Sequence, residues 1–530
     1  MGSFKTIAAI CIFFPLHLLG QRGNDGNRSG VDPSTRQYVL ENTLKKYTDR
    51  FNSLDSEYVV NYVSNAKAFD WLKTNVPLLE CPDSIIEQTY YYRWWTFRKH
   101  LKETPDGFIF TEFITPVKHA GRYNALSCAF GHHVYEGRWL RNGQYIDQYI
   151  QYWYLKDAQQ KSPRFHQFSS WAADAVYNRF LVDRDSSFVT ALLPYMDKDY
   201  RLWEQEKRLS NGLFWQFDVK DGMEESISGA RREKHTRPTI SSYMYGNANA
   251  LAKIAVMAGN DTLQQRYIAD AAKIRQLVQD QLWDDTAAFF KVRQAIKGSD
   301  ETHFSNAREE IGFIPWYFNL PADKSRYAKA WEQVTDTSGF DAGWGLTTAE
   351  RRHPAFRSHG SGGCEWDGAI WPFATTQTLK GLAHLLTDYK HHDGMSPAVY
   401  YRALQVYAQS HQKNGKPYLG EYQDERTGYW LKGDDPRSSY YNHSGFCDLV
   451  INDLIGLKPR ADNNLELRPL IPEGLWDWFM LEGVPYHGKL VTVRWDKTGE
   501  RYKAGKGLKV FVDGREVYSG GRLKRVVVWL

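Results

Sequence analysis

The stretch AIWPFATTQTLKGLAHLL, residues 369–386, brings its apolar side chains back at steps of three and four. That is the period of a helix with one buried stripe, and the Trp371-Pro372 pair marks where it opens. The same period recurs on both sides: toward the N-terminus in STRQYVLENTLKKYTDRFNSL (34–54), SIIEQTYYYRWWTFRKHL (84–101), YNALSCAFGHHVYEGRWL (123–140), GQYIDQYIQYWYL (143–155) and SSWAADAVYNRFL (169–181). It continues in SFVTALLPYMDKDYRLWEQEK (187–207), SYMYGNANALAKIAVMAG (242–259), TLQQRYIADAAKIRQLVQDQL (262–282) and KSRYAKAWEQV (324–334). Beyond the opening stretch lie PAVYYRALQVYAQSH (397–411) and GFCDLVINDLIGL (445–457). About a dozen helices with no solenoid repeat pair naturally into six hairpins. The expected architecture over residues 35–460 is a mainly α chain closed as an (α/α)6 toroid, its long loops gathered at one mouth.

The character changes after Pro459. LELRPLI, WFMLEGV, KLVTVRW, KGLKVFVDG, REVYSG and RVVVWL are short, rich in β-formers and separated by turn dipeptides. Residues 462–530 are expected to form a small β-sandwich that packs on the toroid and stabilises it, with VDGREV as a hairpin around an Asp-Gly turn.

Composition narrows the function. A net charge of +5 on 530 residues, without a dense Lys/Arg stripe, argues against nucleic-acid binding. The chain is 15% aromatic, with 19 Trp and 33 Tyr. Such flat faces suit sugar rings, although a large core uses most of them. Lys5 precedes the apolar run TIAAICIFFPLHLLG, which is too short to span a bilayer. Residues 1–21 therefore read as a secretory signal peptide, making the mature protein secreted or periplasmic with no membrane anchor. Cys81, Cys128, Cys364 and Cys447 are widely spaced and form no Cys/His cluster. Buried free thiols are expected, and no metal or cofactor is implied.

Three loop segments combine carboxylates, tryptophans and glycines: LFWQFDVKDGMEESISG (213–229), GSGGCEWDGAIWPF (360–373) and KPYLGEYQDERTGYW (416–430). Glycosidic hydrolysis asks for that combination, because one carboxylic acid protonates the leaving oxygen while a second carboxylate activates water or attacks the anomeric carbon. Aromatic faces such as Trp215 would hold the ring, and His443 sits where it could touch a ligand. Each segment alone has a plainer explanation as a solvated or packed loop.

Together, in this order and spacing, the three segments resemble the six-hairpin glycosidases: trehalases, processing α-glucosidases and mannosylglycerate hydrolases of glycoside hydrolase families 37 and 63. The resemblance of KDGMEES to the trehalase acid stretch implies Glu224 as general acid, with Asp221 as its rival. It implies Glu421, in GEYQDERTG, as general base. EWDGAIWP resembles the signature that grips substrate, implicating Trp366, Asp367 and Trp371. YYYRWWTFRKH resembles a subsite motif, implicating Tyr92, Arg93 and Trp95. LELRPLIPEGLWDWFMLEGVPYHGK is similar to the small β-domain of bacterial α-L-rhamnosidases. The expectation is an exported, exo-acting, inverting glycoside hydrolase with an oligosaccharide or polysaccharide as partner. In it, crowding by Asp221 and Glu225 keeps Glu224 protonated. A polysaccharide lyase and a non-catalytic glycan-binding protein are the alternatives, distinguishable by an unsaturated product and by binding without turnover.

Overall fold

The computed structural model describes residues 33–161, 163–299 and 301–530; the expected signal peptide lies outside them. The principal helices are α1 Pro33–Leu54, α2 Asn65–Asn75, α3 Ser84–His100, α4 Phe130–Gly137, α5 Gln144–Gln151, α6 Ala172–Asp183 and α7 Ser186–Lys207. They continue as α8 Asp218–Asp221, α9 Pro238–Met257, α10 Asp261–Gln281, α11 Ile314–Tyr317, α12 Ser325–Ala328, α13 Pro372–Asp388 and α14 Pro397–Ser410. A last turn, Leu449–Leu454, is wound as a π-helix.

Burial separates two kinds of helix. In α13 every residue from Pro372 to Ala383 is buried, and α9 is nearly as enclosed. In α10 only Tyr267, Ala271, Ile274 and Val278 are, at steps of four, three and four. The first kind lies inside a ring and the second covers it with one stripe. The inner ring runs α4 to α6, α6 to α9, α9 to α11, α11 to α13, and α13 to Leu449–Leu454. It closes through Glu136 of α4, whose carboxylate accepts the backbone N–H groups of Phe446, Cys447 and Asp448. These are orphan donors at a helix start, and a buried anion there satisfies them together. Buried ion pairs tie the same three elements: Arg138 to Asp448 (2.7 Å), and Lys380 to both Asp448 (2.5 Å) and Asp453 (2.6 Å). The fold is thus the α/α toroid expected.

Some local expectations change. Residues 123–129 are not helical, because the chain there turns through Asn124 at φ +64° before α4 begins. KSRYAKAWEQV gives only the four residues of α12 before tightening into a 3-10 turn over Lys329–Val334. His132 and His133 are buried in α4, where burial drives both imidazoles toward the neutral form.

The C-terminal strands form one five-stranded antiparallel sheet and one of three strands. The larger holds Trp478–Tyr486, Lys489–Asp496, Gly507–Val512 and Arg515–Gly520, and takes Leu78–Glu80 from the helical region as an edge strand. The smaller joins Leu457–Lys458, Asn464–Leu467 and Val526–Trp529. The Asp-Gly hairpin forms as expected, with Asp513 and Gly514 at φ +48° and +79°, the left-handed pair a tight two-residue turn needs. Arg141 donates to the Gly483 carbonyl (2.8 Å), and the His487 amide donates to that of Val182 (2.7 Å), so the strands are fastened to the helices.

Candidate active site

The mouth is built at the N-terminal ends of inner helices. Cys128 precedes α4, Arg237 precedes α9, Trp371 precedes α13 and His443 precedes the last turn. Helix N-termini favour negative charge, and carboxyls gather here.

The loop carrying Glu224 is fixed at its base. Asp221, fully buried at the end of α8, accepts from Arg237 (2.6 Å) and from the Thr239 hydroxyl. Ser228 donates its N–H (3.2 Å) and its hydroxyl to Glu309. Asp218 accepts the Glu225 N–H (3.3 Å), holding Glu225 at φ +64°. Between these anchors, among the described residues, no cation lies within ion-pair reach of Glu224, and burial, above all, pushes its carboxyl up to about 7, with Glu421 and Asp218 adding to it. This corrects the crowding argument. Asp221 is occupied by Arg237, and Glu225 points at Arg231 (3.3 Å) and Arg357 (3.7 Å), so desolvation first, then Glu421 and Asp218, favour the protonated form.

The second and third loops are one unit. Ile370 and Gln423 exchange backbone hydrogen bonds (2.9 Å each), and the Trp366 N–H donates to the Glu224 carbonyl (3.0 Å), joining the first loop as well. Gly420 is required for a close approach: a Cβ there would lie 2.6 Å from Trp430. Its neighbour Glu421 is 3% exposed. Arg437 donates to Glu421 Oε2 (3.0 Å), with Lys432 3.5 Å from the same oxygen.

Trp366, Trp371 and Tyr422 form a three-ring stack, with centroids 4.7 and 4.5 Å apart. The indole N–H of Trp366 and the hydroxyl of Tyr422 are buried without a protein partner. His443 lies beside this wall, 5.9 Å from Trp371, and burial keeps it neutral. Asp367 is tied to Arg357 (2.9 Å) in an open cavity that Asp218, Glu225 and Arg231 also line.

Other expected site residues go elsewhere. Tyr92 stacks on Trp95, both against Phe51 of α1, and the Trp95 indole donates to Asn52 (2.8 Å). They are core between α3 and α1, as an aromatic run on a helix covered on its outer face must be. Arg93 donates to Tyr407 (3.2 Å) and to the Ser444 carbonyl, so it braces the His443 segment from beneath. Trp215 packs edge-on against Phe217 beneath Lys207 and Lys234.

Sequence reasoning missed Arg437, Lys432 and Glu112. The cations stand eleven and sixteen residues past Glu421, in KGDDPRSS, a stretch that reads as an ordinary polar loop. Glu112, 2% exposed, is pushed up to about 8 by burial and is close enough to feel both Glu421 and Glu224. A lone acid within the apolar IFTEFI (109–114) was its one available signal. All four described cysteines are free thiols, three of them buried.

Residues 122–444 match the family described as the mannosylglycerate hydrolase MGH1-like glycoside hydrolase domain, and residues 457–518 match the C-terminal domain of glycosyl hydrolase family 65. A solved structure named "Sialidase" is 48% identical over 92% of this chain with a TM-score of 0.89, and this chain spans 44% of that protein's length. The GH63 mannosylglycerate hydrolase of Thermus thermophilus in complex with glucose superposes with a TM-score of 0.51 at 14% identity, over 68% of this chain and 99% of its own. The GH78 rhamnosidase of Bacillus sp. GL1 gives 0.57 at 11% identity, over 79% of this chain and 40% of its own. The last two share the fold. With the family match spanning well over half the chain, this protein belongs to the mannosylglycerate hydrolase MGH1-like glycoside hydrolase family.

Proposed function

We propose that the protein is an exported, exo-acting glycosidase that inverts configuration, with Glu224 as general acid and Glu421 as general base. One observation carries the assignment. Two carboxyls from loops 197 positions apart, Glu224 half-buried and Glu421 buried, lie in opposite surroundings, one raised to about 7 and one faced by two cations. Glu224 gives its proton to the departing glycosidic oxygen. Glu421, as carboxylate, takes a proton from a water that attacks the anomeric carbon from the opposite face. Arg437 and Lys432 hold Glu421 in place, and the Trp366–Trp371–Tyr422 wall bounds the sugar. Asp221 serves the acid loop as the anchor of Arg237 rather than as the acid. Exo action and inversion are supported by the resemblance to six-hairpin glycosidases, and export by the apolar run after Lys5.

The test is turnover on a panel of α- and β-linked mannosides, glucosides, rhamnosides and N-acetylneuraminosides, with plant and host oligosaccharides. The last monosaccharide class is included because the 48% identical relative is named a sialidase. Proton NMR of the first product formed reads the anomer. Release of a terminal sugar with inverted configuration is expected; a product of retained configuration overturns the mechanism, and internal cleavage overturns the exo assignment.

A further inference from the structure

Glu112 has no role in the mechanism above, although it lies in the same site. It follows the strand Gly107–Phe110, and its backbone is fixed on both sides. Its N–H donates to the Asn124 carbonyl (3.2 Å), and its carbonyl accepts from the Asn442 N–H (2.9 Å). Asn442 also donates its side-chain amide to the Thr111 carbonyl (3.0 Å). The segment is thereby welded to Tyr441 and His443, which line the mouth. The side chain is buried, and the Cys128 thiol donates to its Oε2 (3.4 Å). Tyr441 supplies a further hydrogen bond, and its ring lies 4.3 Å from that of His443.

Among the described residues Glu112 enters no ion pair, in contrast to Glu421 with its two cations and Asp221 with Arg237. A buried carboxyl without a cation, close to two other carboxyls, is stable only as the neutral acid. In that form it has an O–H to donate. Sugar hydroxyls accept and donate equally well, and the two unpartnered donors nearby, on Trp366 and Tyr422, suit the same kind of ligand.

We propose that Glu112 is a substrate-binding residue that donates a hydrogen bond to a hydroxyl of the sugar held between Glu224 and Glu421, and so helps select that sugar. This rests on the two-carboxylate reading of the site. A site built to bond a hydroxyl rejects ligands that lack it far more strongly than an apolar pocket rejects a methylene.

The experiment compares Glu112→Gln, Glu112→Ala, Glu224→Gln and Glu421→Gln in the full-length protein, on the panel glycoside the wild type cleaves fastest. Gln keeps a donor where the acid had one. Glu112→Gln is therefore expected within about tenfold of wild-type kcat/KM, and Glu112→Ala about 100-fold below it, mainly through KM. Above pH 8 the wild-type activity should fall more steeply than that of Glu112→Gln, since only the former loses the Glu112 proton. Infrared difference spectra of the free enzyme between pH 7 and pH 9 should show a neutral-carboxyl band that Glu112→Gln lacks. Should no panel glycoside turn over, calorimetric titration of the same variants with the free monosaccharides reads the contact directly. Wild-type kinetics or affinity in Glu112→Ala overturns the proposal. So does a folded Glu112→Gln as inactive as Glu224→Gln, which would place Glu112 in the chemistry. Full activity in Glu224→Gln and Glu421→Gln would instead overturn the two-carboxylate reading, independently of the Glu112 pair.

Discussion

The loop of Glu224 and the loop of Glu421 present the same functional group, half-buried in the first and buried in the second, and the fold treats them oppositely. Around Glu224 the cations are spent on other acids: Arg237 on Asp221, Arg231 on Asp218 and Glu225. Around Glu421 two cations converge on one oxygen. Burial without a counter-charge favours the neutral carboxyl, and burial beside cations favours the carboxylate. The side chains around each carboxyl thus set the contrast on which the proposed acid and base roles rest.

The largest test of this contrast is kinetic. Glu224→Gln and Glu421→Gln should each lower kcat on a natural glycan by about 10³-fold, the usual weight of a positioned acid or base. They should part on a glycosyl fluoride, whose leaving group needs little protonation. Glu224→Gln should recover most of its activity there and Glu421→Gln none. Identical responses would remove the acid/base distinction.

Within the acid loop the contrast is between Asp221 and Glu225. Asp221→Ala strands Arg237 in the interior and should cost about 3–5 kcal/mol in urea denaturation. Glu225 faces solvent, so Glu225→Ala should stay within about 0.5 kcal/mol.

pH offers a third test. Glu224 is raised from 4.5 to about 7, and in the proposed acid role its protonated form is the active one, so kcat/KM should fall as pH rises through about 7. Linkage gives the matching sign for stability. The folded state binds the proton more tightly than the unfolded state, so the contribution is fully present below the unfolded value and is lost as pH rises through the folded one. Glu224→Gln titrates no proton, and it should gain on the wild type by on the order of 2 kcal/mol between pH 4.5 and 8. The smallest expected effect is at the wall. Trp366→Phe keeps a stacked ring but loses the unpartnered N–H, and should raise KM about fivefold without changing the melting temperature.

The toroid was legible because helices announce their buried stripe at a fixed period; the fully enclosed α9 and α13 still carried enough of it. The three site loops were legible because carboxylates, tryptophans and glycines cluster locally. The aromatic run of α3 misled for the same reason. A Tyr-Trp cluster has the same composition whether it faces a sugar or Phe51, and only the position of α1 decides. Glu112 was out of reach, since one acid in an apolar strand end carries no local pattern.

The order of amino acids alone was enough for the helical toroid and the change to β-structure after Pro459, and it singled out the carboxyls at 224 and 421. All of these are written in periods or motifs within a few tens of residues. It took the folded chain to show which carboxyl stands beside Arg437 and Lys432, that Arg237 is ion-paired to Asp221, and that Glu112 is buried and feels both Glu421 and Glu224. Electrostatic environment is a sum over neighbours in space: Lys432 and Arg437 turn back onto Glu421 from eleven and sixteen residues on, Arg237 onto Asp221 from sixteen, and Glu224 feels Glu421 across 197.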